Sequence, residues 1–129
     1  EMGIYETPYQ KFGQLTYEQW RACRLVVDTG MHAKGWSREK AVAFLTKNTA
    51  LSLHEINTEI DRYISWPGQA LSYKIGELKI KELRKKAEEI LGGAFDIREF
   101  HRIILSQGTV TLTLMEDLVD NYIKMTKNE

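Results

Sequence analysis

The stretch Arg24-Leu25-Val26-Val27-Asp28-Thr29-Gly30-Met31-His32, followed by Gly35-Trp36-Ser37, reads as a helix, a stop and the cap of a second helix. On a helix turning about 100° per residue, Arg21, Arg24, Asp28 and His32 share one narrow stripe, while Trp20, Cys23, Val26, Val27 and Met31 fill the other side. The apolar side is expected to pack and the polar stripe to face a cleft. The alternative is a plain ion pair between Asp28 and Arg24, one turn apart, with His32 exposed near the helix end.

Working outward, the opening around Gly3, Pro8 and Gly13 is rich in turn formers. Thr16 with Gln19 then makes a capping box that predicts a helix start, with the helix running toward Gly30. Ser37 caps a second helix to about Asn48, and Ser52 with Glu55 caps a third that stops at Trp66. Pro67 suits the first turn of a long fourth helix, because its missing N–H would have no partner there anyway. That helix should reach Leu91 and end at Gly92-Gly93. Asp96 with Glu99 begins a fifth, ended near Gly108, and Thr113 with Glu116 begins a sixth, through about Met125. Only Thr109-Val110-Thr111-Leu112-Thr113 hints at a strand. The expected fold is all-α: about six helices in an irregular bundle, with residues 1–129 forming one segment.

Composition narrows the function. The 129 residues are 43% hydrophobic and 28% charged, enough for a buried core. Lysine plus arginine equal aspartate plus glutamate at 18 each, so no net field favours nucleic acid or an anionic membrane. The single cysteine, Cys23, lies on the apolar side and reads as a small hydrophobe. No run of about 18 apolar residues and no charged-then-apolar leader is present, so neither a membrane span nor a signal peptide is expected in this stretch. Glu1 precedes Met2, the pattern of a segment cut from a longer chain, so targeting information is expected upstream.

Few motifs carry chemistry. His54-Glu55 suggests the zinc motif H-E-x-x-H, but position 58 is Thr58, and Glu55 is already needed as a capping residue. There is no Gly-rich phosphate loop and no nucleophile elbow. Lys79 to Lys86 alternates basic and acidic residues, as an exposed helix with internal ion pairs does. Two constellations remain. One is the stripe of Arg21, Arg24, Asp28 and His32. The other is Asp61-Arg62-Tyr63-Ile64 with Trp66 to Gly76, where Gln69 and Tyr73 stand one turn apart and Gly76 leaves room for close approach. Ordinary helix packing around a tight Pro-Gly turn is the alternative for the second.

The strings RLVVDTGMHAKGWSREKA, EIDRYISWPGQALSYKIGELKIKELR and GGAFDIREFHRIILSQG closely resemble the C-terminal part of the bacterial domain of unknown function 885 family, whose members often carry the label lipoprotein. The resemblance covers nearly the whole chain. It implies the back part of a helical, gluzincin-type zinc metallopeptidase-like fold whose H-E-x-x-x-G-H type motif and E-G-W-A segment precede the region matched here. No metal ligand is then expected within this chain. The resemblance implies zinc for the full-length parent, and the segment alone is expected to be inert.

Under that resemblance, His32 and Tyr73 become the candidates for stabilising an oxyanion in peptide hydrolysis. Arg24 and Arg62, with Asp28 and Gln69, become candidates for binding a substrate carboxylate or for positioning one another. The implied partners are the N-terminal part of the parent chain and a peptide-like substrate, and the implied location is the bacterial cell envelope. An isolated segment that normally packs on a missing half should expose apolar surface and dimerise. The competing reading is a non-catalytic helical binding or scaffold module.

Overall fold

A computed structural model of the chain describes residues 3–128, which leaves Glu1 and Met2 outside. Six α-helices run through the described residues: α1 (Pro8–Lys34), α2 (Arg38–Asn48), α3 (Leu53–Ser65), α4 (Ser72–Leu91), α5 (Ile97–Ser106) and α6 (Leu112–Lys127). Short 3₁₀ turns at Gln69–Leu71 and Gly92–Ala94 precede and follow α4. The described residues contain no strand, in keeping with the all-α expectation.

Local chemistry explains the boundaries. Ser37 and Ser52 cap α2 and α3 as their spacing predicts, Ser52 in a reciprocal box with Glu55. The start of α1 differs from expectation. Thr7 caps it, its side chain accepting from the Gln10 N–H while Gln10 reaches back, and Pro8 takes the first helical position. Thr16 lies inside the helix and turns its hydroxyl to the Phe12 carbonyl at 2.9 Å. The helix also passes through Gly30 and ends at Gly35, whose φ of 62° is a left-handed stop.

Two further boundaries shift, those of α4 and α6, while Asp96 begins α5 as expected but without the box. Pro67 sits in a turn rather than at the head of α4, which begins at Ser72 after the 3₁₀ turn. Asp96 caps α5 through the Arg98 N–H, and Glu99 pairs with Arg102 instead of closing a box. Thr111 rather than Thr113 caps α6, which takes in Leu112 and Thr113 of the segment that hinted at a strand.

Residue contacts divide the chain into two units, residues 1–74 and 75–129. In the first, Cys23 and Val27 of α1, Ala41 and Leu45 of α2, and Ile56, Ile60 and Tyr63 of α3 are buried together with Ala70. Each pair is spaced by one turn, so each helix offers a single apolar stripe. Burying a side chain such as Leu45 or Ile60 contributes about 1.5–3 kcal/mol. The polar stripe departs from expectation here. Arg24 and Asp28 are only 4% and 2% exposed, whereas Val26 is 40% exposed. The 3₁₀ turn packs on α1 and covers a second flank of it.

In the second unit, Leu83, Ala87 and Leu91 of α4 meet Phe100 of α5 and Val119, Tyr122 and Ile123 of α6. The ion pairs expected along α4 form, among them Lys79–Glu82 and Arg84–Glu88. Lys79 and Lys86 also reach Glu116 and Asp120 of α6 at 2.9 and 2.6 Å. No described helix is long and apolar enough to cross a membrane.

Candidate functional site

Arg24 projects from the middle of α1 into a nest of rings. Its guanidinium carbon lies 4.7 Å from the centroid of Tyr73, 5.3 Å from Tyr63 and 5.7 Å from Trp20. Such faces attract a cation most strongly where water is excluded, as it is here. Nη2 donates to Gln69 Oε1 at 3.3 Å, and the buried Nε has no hydrogen-bond partner.

Arg62 arrives at the same oxygen from α3. Its Nη1 donates to Gln69 Oε1 at 2.9 Å, while Nη2 and Nε grip Glu59 at 2.6 and 3.2 Å. One neutral amide oxygen therefore accepts from two guanidinium groups on different helices. Burial pushes the Glu59 carboxyl up, but the Arg62 and Tyr63 side chains together hold it below the usual glutamate range.

Gln69 is placed by the turn before it. Gly68 adopts φ 80°, a left-handed conformation that favours glycine, and its N–H donates to both oxygens of Asp28 at 3.2 and 3.1 Å. Asp28 thus binds the turn backbone rather than Arg24, and the simple ion pair of the alternative reading does not form.

Tyr63 organises the remainder. Its ring is fully buried, its hydroxyl accepts from Trp20 Nε1 at 3.0 Å, and burial, then Glu59, raises its phenol above the usual tyrosine range. Its backbone oxygen lies 2.9 Å from His32 Nε2. A carbonyl oxygen can only accept, so Nε2 carries the proton and Nδ1 is the nitrogen left for other partners. His32 is otherwise exposed at the last turn of α1. Tyr73 is 52% exposed, and its ring meets the Arg21 guanidinium at 5.8 Å as well as that of Arg24.

Arg24, Arg62, Gln69 and Tyr73 therefore converge, His32 joins through the Tyr63 carbonyl, and Asp28 stands behind the turn. Tyr63 belonged to the second constellation from its sequence, whereas Glu59 and Trp20 were not expected as members. Glu59 was detectable, three residues before Arg62 on one helix face. No role was assigned to Tyr63 there, since nothing in its spacing reveals what its hydroxyl and carbonyl meet. Among the described residues no three His, Cys, Asp or Glu side chains gather to hold a metal ion. Glu55 is occupied by the Ser52 cap, as its position predicts.

Residues 1–119 match the model of a family described as bacterial protein of unknown function, DUF885. None of the curated proteins matches the chain. A crystal structure described as the "putative lipoprotein" from Colwellia psychrerythraea is 41% identical and superposes with a TM-score of 0.91. The match covers 95% of this chain but 21% of that one, so this chain spans about a fifth of that protein's length.

Proposed function

This chain belongs to the bacterial DUF885 family, and on that footing we propose that it is the C-terminal helical part of a zinc-dependent hydrolase acting on peptide-like substrates. The described residues do not fit a zinc ion by themselves. The ligands would come from the rest of the parent, and this chain would contribute groups on the substrate and oxyanion side.

The observation that carries this reading is the convergence of two arginines, an amide and a tyrosine on one turn, with His32 anchored beside them. Tyr73 offers an exposed hydroxyl that can donate to a developing oxyanion. His32 presents Nδ1, which accepts when the ring is neutral and donates only when the ring is protonated. Its service to an oxyanion therefore requires the imidazolium form. Arg62, with a side chain 31% exposed, is the guanidinium able to reach a substrate carboxylate. Arg24 fixes the Tyr73 ring, and Asp28 holds the turn that presents Gln69.

In the complete parent protein, His32→Gln and Tyr73→Phe should each lower kcat by about 10²-fold, the scale of a lost oxyanion donor. Zinc content should not change. Unchanged turnover in both variants would remove these residues from the mechanism.

The remaining four-fifths of the relative's length has no counterpart here. The amino half of α1 leaves Tyr9, Phe12 and Leu15 at 88%, 65% and 51% exposure. We read this face as the seat of the parent's N-terminal part, and expect the isolated chain to dimerise through it. A monomer by light scattering would count against that. The description of the Colwellia protein as a lipoprotein supports a place at the cell envelope.

A second reading, a helical scaffold in a parent without metal, draws support from the burial and internal partners of Arg24 and Asp28. Mass spectrometry of the native parent separates the two. Stoichiometric zinc favours the hydrolase, and its absence favours the scaffold.

A further inference from the structure

Beside the site lies a cleft of about 280 Å³ that shares Trp20 and Glu59 with it and has no part in the hydrolase reading. Tyr17, Trp20 and Leu51 form its apolar wall, and Thr58, Glu55 and Glu59 its polar wall. The Tyr17 and Trp20 rings stand 5.9 Å apart and tilted by 51°; Arg21 and Arg24, which do not line the cleft, lie over them at 5.8 and 5.7 Å. No lysine or arginine lines the cleft, although Arg62 grips Glu59 from outside it, and the other titratable groups of the lining are His54 and the Tyr17 phenol. Both carboxyls are held below the usual glutamate range, Glu55 by Ser52 and Glu59 by Arg62 and Tyr63 against the opposing effect of burial. They stay ionised at neutral pH. Aromatic faces opposite carboxylates in a concave, partly apolar space are what an organic cation with an alkyl stem needs: ring attraction for the charge, apolar contact for the stem and anionic acceptors for its N–H groups.

We propose that the cleft between Tyr17–Trp20 and Glu55–Glu59 binds the guanidinium or ammonium end of a basic side chain. The volume is that of one long side chain rather than of a folded partner. Two residues link the cleft to Tyr63: Trp20 donates to its hydroxyl, and Glu59 lies beside the same hydroxyl. An occupant in contact with Trp20 and Glu59 would therefore reach Tyr63 through them.

The test is a titration of this chain followed through the Trp20 indole N–H and the amides of His54 and Thr58 by nuclear magnetic resonance. The probes are Nα-acetyl-arginine amide, its neutral isostere Nα-acetyl-citrulline amide, and agmatine. Saturable shifts with the arginine amide and none with the citrulline amide are expected. Tyr17→Leu, on an exposed ring, should weaken binding roughly three- to fivefold, the scale of one cation–π contact. Glu59→Gln should weaken it further, and Glu55→Gln, which removes a carboxylate without disturbing the Arg62 contact, should weaken it too. Tighter binding of agmatine than of the amide would keep the cation site but assign it to a free amine. Equal shifts from the citrulline amide, or no saturation by either cation, would overturn the proposal. Binding is read without turnover, so this result and that of the hydrolase test fail independently.

Discussion

Gly30 and Trp36 touch so closely that a Cβ placed on residue 30 would lie 2.6 Å from Trp36 Cδ2. The Trp36 N–H also donates to the Gly30 carbonyl at 2.9 Å, and the ring is flanked by Lys40 at 4.4 Å and Phe44 at 5.8 Å. Backbone and ring are pinned together where α1 gives way to α2.

Gly30→Ala should therefore destabilise the first unit, although alanine is the better helix former by about 1 kcal/mol. Overpacking against a pinned ring costs about 1–3 kcal/mol and outweighs that gain. Gly13→Ala, in the same helix with open space around it, should stabilise by about 0.5–1 kcal/mol. Paired denaturant titrations check the opposite signs.

Thr7→Ala removes the cap of α1 and should cost about 1 kcal/mol locally. Hydrogen exchange of the amides in the first two turns should accelerate. Thr16→Ala, which deletes only a hydroxyl bonded back to Phe12, should leave them protected.

Asp28→Ala leaves the Gly68 N–H without its acceptor and opens a small void. A loss of about 1–3 kcal/mol is expected by chemical denaturation. Backbone relaxation should show the 68–71 turn gaining motion, whereas Val26→Ala on the exposed side of α1 should leave the turn unchanged.

Neutral His32 should be the Nε2–H tautomer, because Tyr63 offers it a carbonyl. Nitrogen-15 shifts of the ring distinguish the tautomers directly. A protonated Nδ1 with a bare Nε2 would contradict the hydrogen bond and the role built on it.

Asp96 provides the clearest pH dependence. Its bond to the Arg98 side chain, then that to the Arg98 backbone N–H, lowers its carboxyl from 3.8 to about 2. A folded-state value below the unfolded one stabilises above the unfolded value and is lost as pH falls through the folded one. The start of α5 should thus loosen between pH 3.8 and about 2. Asp96→Asn should remove that transition from an acid titration of Phe100 and Ile97 signals.

What the sequence revealed followed how local the cause was. Ser37, Ser52 and Gly92 mark helix ends through partners within a few residues, and those boundaries stand where expected. Thr7 was masked by Pro8 and Gly13, which read as turn formers even though proline suits a first helical turn and glycine merely weakens a helix. Arg24 and Asp28 looked like an open polar stripe because the turn that covers them lies some forty residues away. Gln69 and Tyr73, expected one turn apart at the head of the long helix, instead lie in the 3₁₀ turn and in α4, and both meet Arg24. That Gln69 Oε1 serves two arginines, and that Tyr63 ties His32 to the group through its backbone, needed three helices in place.

The Asp28–Gly68 contact spans 40 residues of chain, and this separation has a kinetic meaning. The 3₁₀ turn has little to hold it until α1, α2 and α3 have closed around their common core, since closing so long a loop carries an entropy cost that local contacts do not repay. The convergence on Gln69 is thus the last part of the first unit to assemble. A chain caught midway would have its helices and no site. In pulse-labelling exchange during refolding, the Gly68 amide should gain protection after those of Val27, Leu45 and Ile60.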